Sequence, residues 1–251
     1  MSTAAAAAEP LVYPDRDGAP MADNTLRWDW MVKIVGELRE LYAGQQVFVA
    51  GDLLWYPTEG SLDRQAPDAL VAFGRPPGYR GSYKQWDEGN VAPQVVFEVL
   101  SPSNTLDEMR RKLRWYERHG VEEYYLINPY KNHVLGYVRD ESGLASVAWM
   151  DDFVSPRLGV RFEQNGELKL YTPDGREFRT REDRVREIAE ELEGTAEELR
   201  KTTLAFEEER ERADSMRSEL ECERLAKETL LAKLRAAGID PDQLNGNGAA
   251  G

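Results

Sequence analysis

The sequence predicts an α/β domain with a mixed β-sheet, followed by a long C-terminal coiled-coil helix. Three observations support this fold class. Between residues 24 and 175, apolar residues at helical spacing alternate with short β-branched and aromatic runs, in the order helix, strands, helix, strands. Over residues 181–236 a heptad pattern replaces this alternation. The chain of 251 residues is long enough for one such domain with appendages.

The first half of the domain begins with a predicted amphipathic helix and two strands. The helix covers LRWDWMVKIVGELRELYA, in which five apolar residues share one helical face: Leu26, Trp30, Ile34, Leu38 and Leu41. The segments QQVFVAGDLLWYP and APDALVAF then predict two strands, of which the second is short. They are followed by GRPPGYRGSYKQWDEGNVAP, a loop rich in Gly, Pro and aromatic residues. Loops of this length in compact domains are usually functional or mobile.

The second half of the domain has a more regular pattern. The run VVFEVLSPSN predicts a strand buried on both faces, because β-branched and aromatic residues surround Glu98. A helix follows in TLDEMRRKLRWYERHG, where Thr105 and Glu108 have capping-box spacing and Gly120 marks the end. EEYYLINP and NHVLGYVR predict two further strands, and a weaker β-rich stretch reaches about residue 172.

The segment 181–236 has the sequence pattern of a coiled coil. Fifteen positions, which we call the seam, follow alternating spacings of three and four residues, and ten of them are apolar. Two interpretations stay open, namely a coil that pairs with a second copy and a solitary charged helix that folds back on the domain. The seam consists of Val185, Ile188, Leu192, Thr195, Leu199, Thr202, Phe206, Glu209, Ala213, Met216, Leu220, Glu223, Lys227, Leu230 and Leu234.

Two tails flank these parts. Residues 1–23 are rich in Ala, Pro and Asp and lack the basic start of a signal peptide, so we expect a disordered tail. Residues 237–251 predict a flexible tail rich in Gly. No apolar run approaches the roughly 20 residues of a membrane span, and the single Cys222 excludes an intramolecular disulfide. These features favour a cytoplasmic protein without membrane partners.

The net charge of −14 argues against a protein that holds nucleic acid by bulk electrostatics. Any contact must therefore depend on a local patch or on a metal. The best candidate patch is the long loop, which carries Arg75, Arg80, Lys84 and Trp86. Cations beside aromatic rings suit phosphates and stacked bases. The alternatives are a loop that packs its aromatic residues against its own domain, or a subunit contact.

An ionised Glu98 inside a buried strand is costly unless a cation compensates it. Asp68 begins the preceding short strand, directly after Pro67. Two acids on neighbouring strands could share one divalent cation, and carboxylates with waters are ligands that Mg²⁺ or Mn²⁺ accepts. The two histidines and one cysteine of the chain cannot form a Cys/His zinc site. The alternative is a structural turn acid and a buried ion pair with an arginine.

A lysine on the helix after Glu98 completes the candidate site. Leu106, Met109, Leu113 and Tyr116 form an apolar stripe on this helix. Lys112 lies on its edge, about 40° from Tyr116, whereas Arg111 faces solvent. Its ammonium group could extend toward the acids and there orient an attacking water or stabilise charge on a phosphate. Ser101 is a poor candidate nucleophile, because LSPS lacks the glycines of a nucleophile elbow.

Several of these segments together resemble the Uma2 family of endonucleases, within the PD-(D/E)XK nuclease superfamily. They are APDALVAF, VVFEVLSPSN, DEMRRKLRWYERHGVEEYYLINP and the tail ending in LRAAGIDPD, and the resemblance covers roughly residues 25–172. It implies a restriction-endonuclease-like αβββαβ core and metal-dependent hydrolysis of DNA phosphodiesters. It also implies that Asp68 and Glu98 bind the metal and that the Val99 carbonyl completes its shell.

The sequence departs from the superfamily pattern at one position. The pattern has a lysine two residues after the glutamate, where this chain has Leu100. Members of the Uma2 family commonly lack that lysine, and the resemblance implies that Lys112 replaces it from the following helix. Two further acids are weaker candidates. Asp52, expected on a strand near Asp68, could be an additional ligand, and Glu37 resembles a helical glutamate that some superfamily members add.

Two functions from different classes remain open at this stage. The first is a metal-dependent endonuclease that acts on DNA and is dimeric or higher through the coil, so that two sites could cut both strands. The second is an inactive nuclease-fold scaffold that assembles through the coil. The presence of Asp68, Glu98 and Lys112 favours the enzyme. The negative net charge of the protein and the displacement of the lysine to the helix favour the scaffold.

Overall fold

The computed structural model describes residues 11–15 and 24–238. Most of the predicted disordered tail and of the predicted flexible tail therefore lies outside the described residues. The chain divides into two compact units, Met1–Val185 and Arg186–Gly251. Among the described helices, none is long and apolar enough to cross a membrane.

The elements follow the predicted order of a helix, strands, a helix and strands. The helices are α1 (Thr25–Leu41), α2 (Leu106–Arg118) and α3 (Arg181–Ala236). The strands are β1 (Val47–Ala50), β2 (Trp55–Tyr56), β3 (Ala69–Phe73), β4 (Tyr83–Lys84), β5 (Val95–Val99), β6 (Glu123–Asn128), β7 (His133–Asp140), β8 (Gly143–Ser146), β9 (Arg161–Glu163) and β10 (Lys169–Tyr171).

Six of these strands form the main sheet, in the order β1-β3-β5-β6-β7-β8. The pair β5–β6 is parallel and the other pairs are antiparallel, so the sheet is mixed, as predicted. The parallel pair requires a crossover connection, which α2 supplies. Together α1, β1, β3, β5, α2 and β6 give the αβββαβ order. Two small two-stranded sheets, β2–β4 and β9–β10, complete the first unit.

Helix α1 covers one face of the main sheet. The side chain of Asn24 caps its start by accepting a hydrogen bond from the Arg27 backbone N–H at 3.0 Å. Ile34 and Leu38 are fully buried, in one apolar cluster with alternate residues of β3 and β5 such as Phe97. Leu26, which the helical spacing placed on the buried stripe, is instead 37 % exposed in the first turn.

Helix α2 covers the opposite face. Its capping box is formed in both directions between Thr105 and Glu108, as predicted. Met109 and Tyr116 pack in a second apolar cluster with the other alternate residues of β3, β5 and β6. Because successive strand residues point to opposite faces, the two helices divide each strand between two apolar clusters. Leu106, predicted on the buried stripe, is 79 % exposed.

The predicted single strand QQVFVAGDLLWYP is two strands in the structure. β1 ends at Ala50, the chain turns, and β2 covers only Trp55–Tyr56. Asp52 in this turn has a φ of +49°, in the left-handed region that Asp tolerates better than most residues. The expected strand position of Asp52 was therefore wrong. The apolar residues of the sequence continue on both sides of the turn, so the pattern did not indicate that the strand ends there.

Helix α3 is continuous from Arg181 to Ala236, over 56 residues, and none of its residues is buried. Along its length several large apolar side chains of the seam are more than half exposed, among them Leu199 at 67 % and Phe206 at 67 %. The long C-terminal helix was predicted from its heptads. Its pairing as a coiled coil stays a prediction.

Candidate functional site

The register of β3 and β5 brings Asp68 and Glu98 next to each other. Ala69 pairs with Phe97 in this antiparallel ladder, so Asp68 and Glu98 are the next residues opposite each other. Paired residues of antiparallel strands project from the same face, here the face that α2 covers. Both side chains are buried, with 1 % and 2 % of their surface exposed. Two carboxylates thus share a site with little access to water.

Asp68 is held by two donors from different elements. Its Oδ1 accepts a hydrogen bond from Arg27 Nη2 at 2.7 Å, in a salt bridge with the first turn of α1. Its Oδ2 accepts a hydrogen bond from the backbone N–H of Val99 at 2.6 Å. Asp68 therefore connects the edge of α1 to the end of β5. Charge-assisted bonds of this length fix the orientation of a carboxylate.

Glu98 is held by two donors from α2. Its Oε2 accepts from Lys112 Nζ at 2.9 Å, and its Oε1 accepts from the Tyr116 hydroxyl at 2.5 Å. Lys112 and Tyr116 are four residues apart, so they lie on one side of the helix. The ammonium group of Lys112 thus reaches the acid from the helix. Its side chain is 16 % exposed, which leaves it accessible from solvent.

Burial dominates the electrostatics of this group. Burial raises the pKa of Glu98, and the charge of Asp68 raises it further. The charge of Lys112 and the hydrogen bond from Tyr116 lower this pKa but do not outweigh burial. For Lys112, burial alone would lower the pKa, but the charges of Glu98 and Asp68 outweigh it and the pKa lies above its ordinary value. Lys112 is therefore protonated at neutral pH. Its charge offsets part of the cost of an ionised Glu98.

Two aromatic rings, those of Trp55 and Tyr124, pack near the ring of Tyr116. Trp55 stacks on Tyr116 with ring centroids 6.4 Å apart, and Tyr124 lies 5.3 Å from Tyr116. The hydroxyl of Tyr124 is buried and has no hydrogen-bond partner among the residues that the structure describes. Burial, followed by the nearby charge of Glu98, holds the pKa of Tyr124 well above its ordinary value. A buried hydroxyl without a partner is costly, and a water molecule or a ligand could satisfy it.

The donor chemistry of the site suits a hard divalent cation. Within residues 11–15 and 24–238, no three His, Cys, Asp or Glu side chains lie together as a metal site. A cation here would therefore bind the two carboxylates of Asp68 and Glu98, backbone oxygen and water. Mg²⁺ commonly binds in this way, with one or two carboxylates and several waters. The hydroxyl of Tyr124 is a candidate partner for one of those waters.

The structure does not bring Glu37 to this pair. Glu37 is fully buried in α1, where its Oε2 accepts from Arg176 at 2.7 Å and its Oε1 from the Arg179 backbone N–H at 3.1 Å. Glu37 thus anchors the segment before α3 on the face that α1 covers. Asp68 and Glu98 lie on the α2 face. Glu37 does lie on a helix, as expected, but the partners of its carboxylate are Arg176 and Arg179.

Asp52 is near Asp68 through its backbone. Its N–H donates to the carbonyl of Pro67 at 3.0 Å, which ties the turn after β1 to the start of β3. The residue is exposed and lies in the turn described above. A role as an additional ligand stays a prediction.

The long loop packs extensively against its own domain. Arg80 forms a salt bridge with Glu88 at 2.5 Å, and its guanidinium lies 3.9 Å from the centre of the Phe48 ring. Arg75 donates to the carbonyl of Glu88 at 2.9 Å. These contacts match the alternative of a loop ordered by its own domain. Both arginines are used internally.

The other two candidate residues of the loop, Lys84 and Trp86, contact the segment 11–15. Trp86 lies 5.0 Å from the ring of Tyr13, and Lys84 lies 5.5 Å from the same ring. Tyr56 donates to the carbonyl of Pro14 at 2.6 Å. A nucleic-acid contact at this surface would have to share it with Tyr13.

Arg27 and Tyr124 were absent from the sequence-based site. Arg27 lies 41 residues before Asp68, and no spacing relates a helix start to the start of a distant strand. Tyr116 and Tyr124 have the pattern of core aromatic residues, which they also are. The run EEYY after a helix that carries Lys112 was the only available signal for Tyr124.

Comparisons with known proteins place the chain in a family. No curated protein matches its sequence. One solved structure, from Anabaena variabilis and described as a putative nuclease belonging to DUF820, is similar with a TM-score of 0.41 and 14 % identity, over 53 % of this chain and 72 % of that one. Residues 29–170, more than half of the chain, match the Uma2 family, whose description is "Putative restriction endonuclease". This protein therefore belongs to the Uma2 family.

Proposed function

We propose that this protein is a metal-dependent endonuclease that hydrolyses DNA phosphodiester bonds. The observation that carries the proposal is the buried pair of Asp68 and Glu98 on adjacent strands, with the Lys112 ammonium 2.9 Å from Glu98. Membership of a family of nucleases supports the same conclusion.

Each residue has a distinct task in this proposal. Asp68 and Glu98 hold Mg²⁺ or Mn²⁺, with the Val99 carbonyl as a further oxygen ligand. The cation, when bound, lowers the pKa of a water and offsets charge on the phosphate. Lys112 orients the attacking water or stabilises the charge that develops on the phosphate. Tyr116 and the Val99 N–H fix the orientation of the two carboxylates.

The balance of charge predicts that metal and substrate bind together. Two carboxylates face two cations, Arg27 and Lys112, so the buried group is close to neutral without a metal. A divalent cation would leave an excess of positive charge in a site of low dielectric, which is costly. A phosphate of the substrate would offset that excess. We therefore expect Mn²⁺ to bind more tightly when a DNA strand is present.

A second candidate function is an inactive scaffold. The observation that favours it is that each acid already has a cationic partner from the chain itself, Arg27 for Asp68 and Lys112 for Glu98. Such pairs stabilise buried acids without any metal. The scaffold and the enzyme differ in whether Asp68→Asn and Glu98→Gln change metal binding or cleavage.

The test combines cleavage with calorimetry. Plasmid and linear DNA are incubated with Mg²⁺ or Mn²⁺ and wild type, Asp68→Asn or Glu98→Gln, and Mn²⁺ binding is titrated with and without DNA. Each variant should lose at least about 100-fold in cleavage rate and lose the metal site. The matched control is Glu123→Gln, since Glu123 is equally buried but is bound by Ser155, Tyr125 and the Arg157 N–H.

Two results would contradict the proposal. Cleavage by Asp68→Asn and Glu98→Gln at the wild-type rate would remove these acids from the chemistry. Absence of both metal binding and cleavage in the folded wild type would leave the scaffold. A third result, cleavage of RNA but not of DNA, would contradict only the proposed substrate and would leave the proposed site in place.

The seam of α3 supports an assembly with a second copy of the chain. Its large apolar side chains are exposed in the single chain, at 57 % for Ile188 and 65 % for Leu192. A heptad seam buries such residues against the equivalent residues of a partner helix. We therefore propose a homodimer formed through α3. Two nuclease sites in one dimer could cut both strands of a duplex.

A further inference from the structure

A groove of about 560 Å³ lies between the start of α2 and the hairpin of β6 and β7. Its apolar lining, which we call the floor, consists of Leu100, Leu106, Met109, Leu126 and Leu135. Grooves of this size, with apolar walls and a few polar groups, are typical of sites for small ligands. None of the functions described above uses this groove.

The groove lies next to the candidate active site, although neither Asp68 nor Glu98 lines it. Leu126 in its floor pairs with Glu98 in the parallel ladder of β5 and β6. Leu100 is two residues beyond Glu98, and Met109 is one helical turn before Lys112. The groove and the acids therefore share one face of the sheet, at the carboxyl ends of the two parallel strands. Ligands of α/β sheets bind preferentially at that end.

The lining of the groove carries the cation of Lys131, whereas the protein as a whole is acidic. None of its lining residues is acidic, although the chain carries a net charge of −14. Lys131 and His133 lie at its rim, both exposed. Neither forms an ion pair with any residue that the structure describes. A cation at the edge of an apolar groove, without an internal partner, is complementary to an anionic ligand.

The start of α2 does not supply this attraction. Its first turn is closed by its own residues, since the Thr105 side chain accepts from the Glu108 N–H, and the Glu108 carboxylate accepts from Asn104 and from the Thr105 N–H. The polar contacts available to a ligand are therefore those of Lys131, His133 and the Asn128 amide nitrogen, since Asn128 Oδ1 already accepts from two backbone N–H groups. They lie on the opposite wall from the helix start.

We propose that this groove binds one nucleotide of a nucleic-acid strand, next to the bond that the enzyme cleaves. Its base contacts the leucines and the methionine, and its phosphate contacts Lys131. This inference rests on the proposed nuclease function, because it takes the ligand from the substrate of that function. It adds a local cationic contact to a protein whose overall charge repels nucleic acid.

The test measures binding without metal, so that it does not depend on cleavage. Fluorescence anisotropy in EDTA follows a labelled single strand of about 12 nucleotides, and a single abasic site is moved through the strand one position at a time. Lys131→Gln and Leu135→Ser should each weaken binding about fivefold to tenfold. In wild type, one abasic position should weaken binding, and in Leu135→Ser that effect should disappear.

A matched control and a competitor separate the alternatives. Lys201→Gln removes the same charge from an exposed position in α3 and should bind like wild type. Unfolding temperatures of all three variants check that each is folded. A 5′-mononucleotide, added alone, tests whether the groove takes a free nucleotide instead of a strand.

Four outcomes decide the inference. Weak binding by Lys131→Gln and Leu135→Ser, with loss of the abasic effect, supports it. If both variants bind the strand as tightly as Lys201→Gln does, the inference is overturned. The proposed nuclease function is unaffected by that result, because cleavage by Asp68→Asn tests it independently. Binding of the mononucleotide as tightly as the strand overturns the strand as ligand. A wild type that binds neither the single strand nor the mononucleotide also overturns the inference.

Discussion

Two neighbouring tyrosines on the α2 side of the sheet differ in what their hydroxyls do. Tyr116 and Tyr124 are both buried, with ring centroids 5.3 Å apart. The Tyr116 hydroxyl donates to Glu98 at 2.5 Å, whereas that of Tyr124 has no hydrogen-bond partner within the described part of the chain. A buried hydrogen bond to a charged group stabilises the fold, and an unsatisfied hydroxyl does not. The same substitution should therefore have different effects at the two positions.

We expect Tyr116→Phe to lower the free energy of unfolding by about 1.5–3 kcal/mol, because Glu98 loses a donor in a buried site. Tyr124→Phe should leave that free energy unchanged or raise it, because only an unsatisfied hydroxyl is removed. Urea denaturation in the absence of metal, followed by circular dichroism, measures both. Equal losses in the two variants would contradict the assigned hydrogen bond.

His119 gives the protein a predictable response to pH. Its ring packs 4.4 Å from that of Trp115, and burial lowers the pKa of His119 although the charge of Asp63 opposes this. The unfolded chain therefore binds a proton at a higher pH than the folded chain does. The contribution of His119 to stability is present above the ordinary pKa of about 6.5 and is lost as the pH falls through the folded pKa.

Between pH 7.5 and pH 5.5, wild type should accordingly lose more stability than His119→Asn does. Urea denaturation at several pH values gives the slopes. The chain has one other histidine, the exposed His133, and His133→Asn is the matched control, which should keep the wild-type slope. Identical slopes for His119→Asn and wild type would show that His119 does not couple to folding.

The positions of the acids were accessible from the sequence, but their partners were less so. Asp68 and Glu98 were recognisable because an acid in a buried strand is conspicuous, and helical geometry placed Lys112 on the side toward them. Arg27 could not be found in this way. Its contact with Asp68 depends on where the first turn of α1 lies over the sheet, which no local pattern encodes.

At the scale of elements, Gly51 determines how closely the turn after β1 approaches the start of β3. A Cβ atom at this position would lie 3.0 Å from the backbone oxygen of Asp68 and 2.9 Å from a methyl group of Val35. Neither neighbour can move freely, since one is backbone and the other is packed. At Gly36 in α1, an added Cβ would instead meet the guanidinium of Arg184, the end of a flexible side chain.

Gly51→Ala should therefore destabilise the fold by about 1–3 kcal/mol, the usual cost of overpacking. It should also weaken Mn²⁺ binding, because it displaces the backbone of Asp68. Gly36→Ala should be neutral or stabilise by up to about 1 kcal/mol, because Ala favours a helix interior and Arg184 can move away. Thermal unfolding and calorimetry check both. A stable Gly51→Ala with unchanged metal binding would refute the role given to this turn.

Helices were easier to predict than strands in this chain. The capping box of Thr105 and Glu108 marked the start of α2, because a cap is a local hydrogen-bonding pattern that the sequence contains. The division of the first predicted strand at Asp52 was missed, because a turn in the left-handed region needs only one residue that tolerates it. The loop after β3 also contains the short strand β4, which pairs with β2 through tertiary contact.

For the whole molecule, the heptads of α3 predict an oligomer, and the exposed seam allows a sharp test. Leu199 belongs to the seam, whereas Leu204, five residues later in the same helix, does not. Both are exposed in the single chain, at 67 % and 52 %. A charge at Leu199 would be buried in the paired coil at high cost, whereas a charge at Leu204 would stay in water.

Sedimentation equilibrium of wild type should therefore give twice the mass of the 28.6 kDa chain. Leu199→Glu should weaken the association at least about tenfold, equivalent to about 1.4 kcal/mol, and shift the mass toward that of one chain. Leu204→Glu should sediment like wild type. The seam itself contains Glu209, Glu223 and Lys227, which weaken it locally, so association should depend most on its first half, which carries no charged residue. A wild type of single-chain mass at micromolar concentration, or equal dissociation of the two variants, would leave α3 as a solitary helix and would separate the candidate sites of different chains.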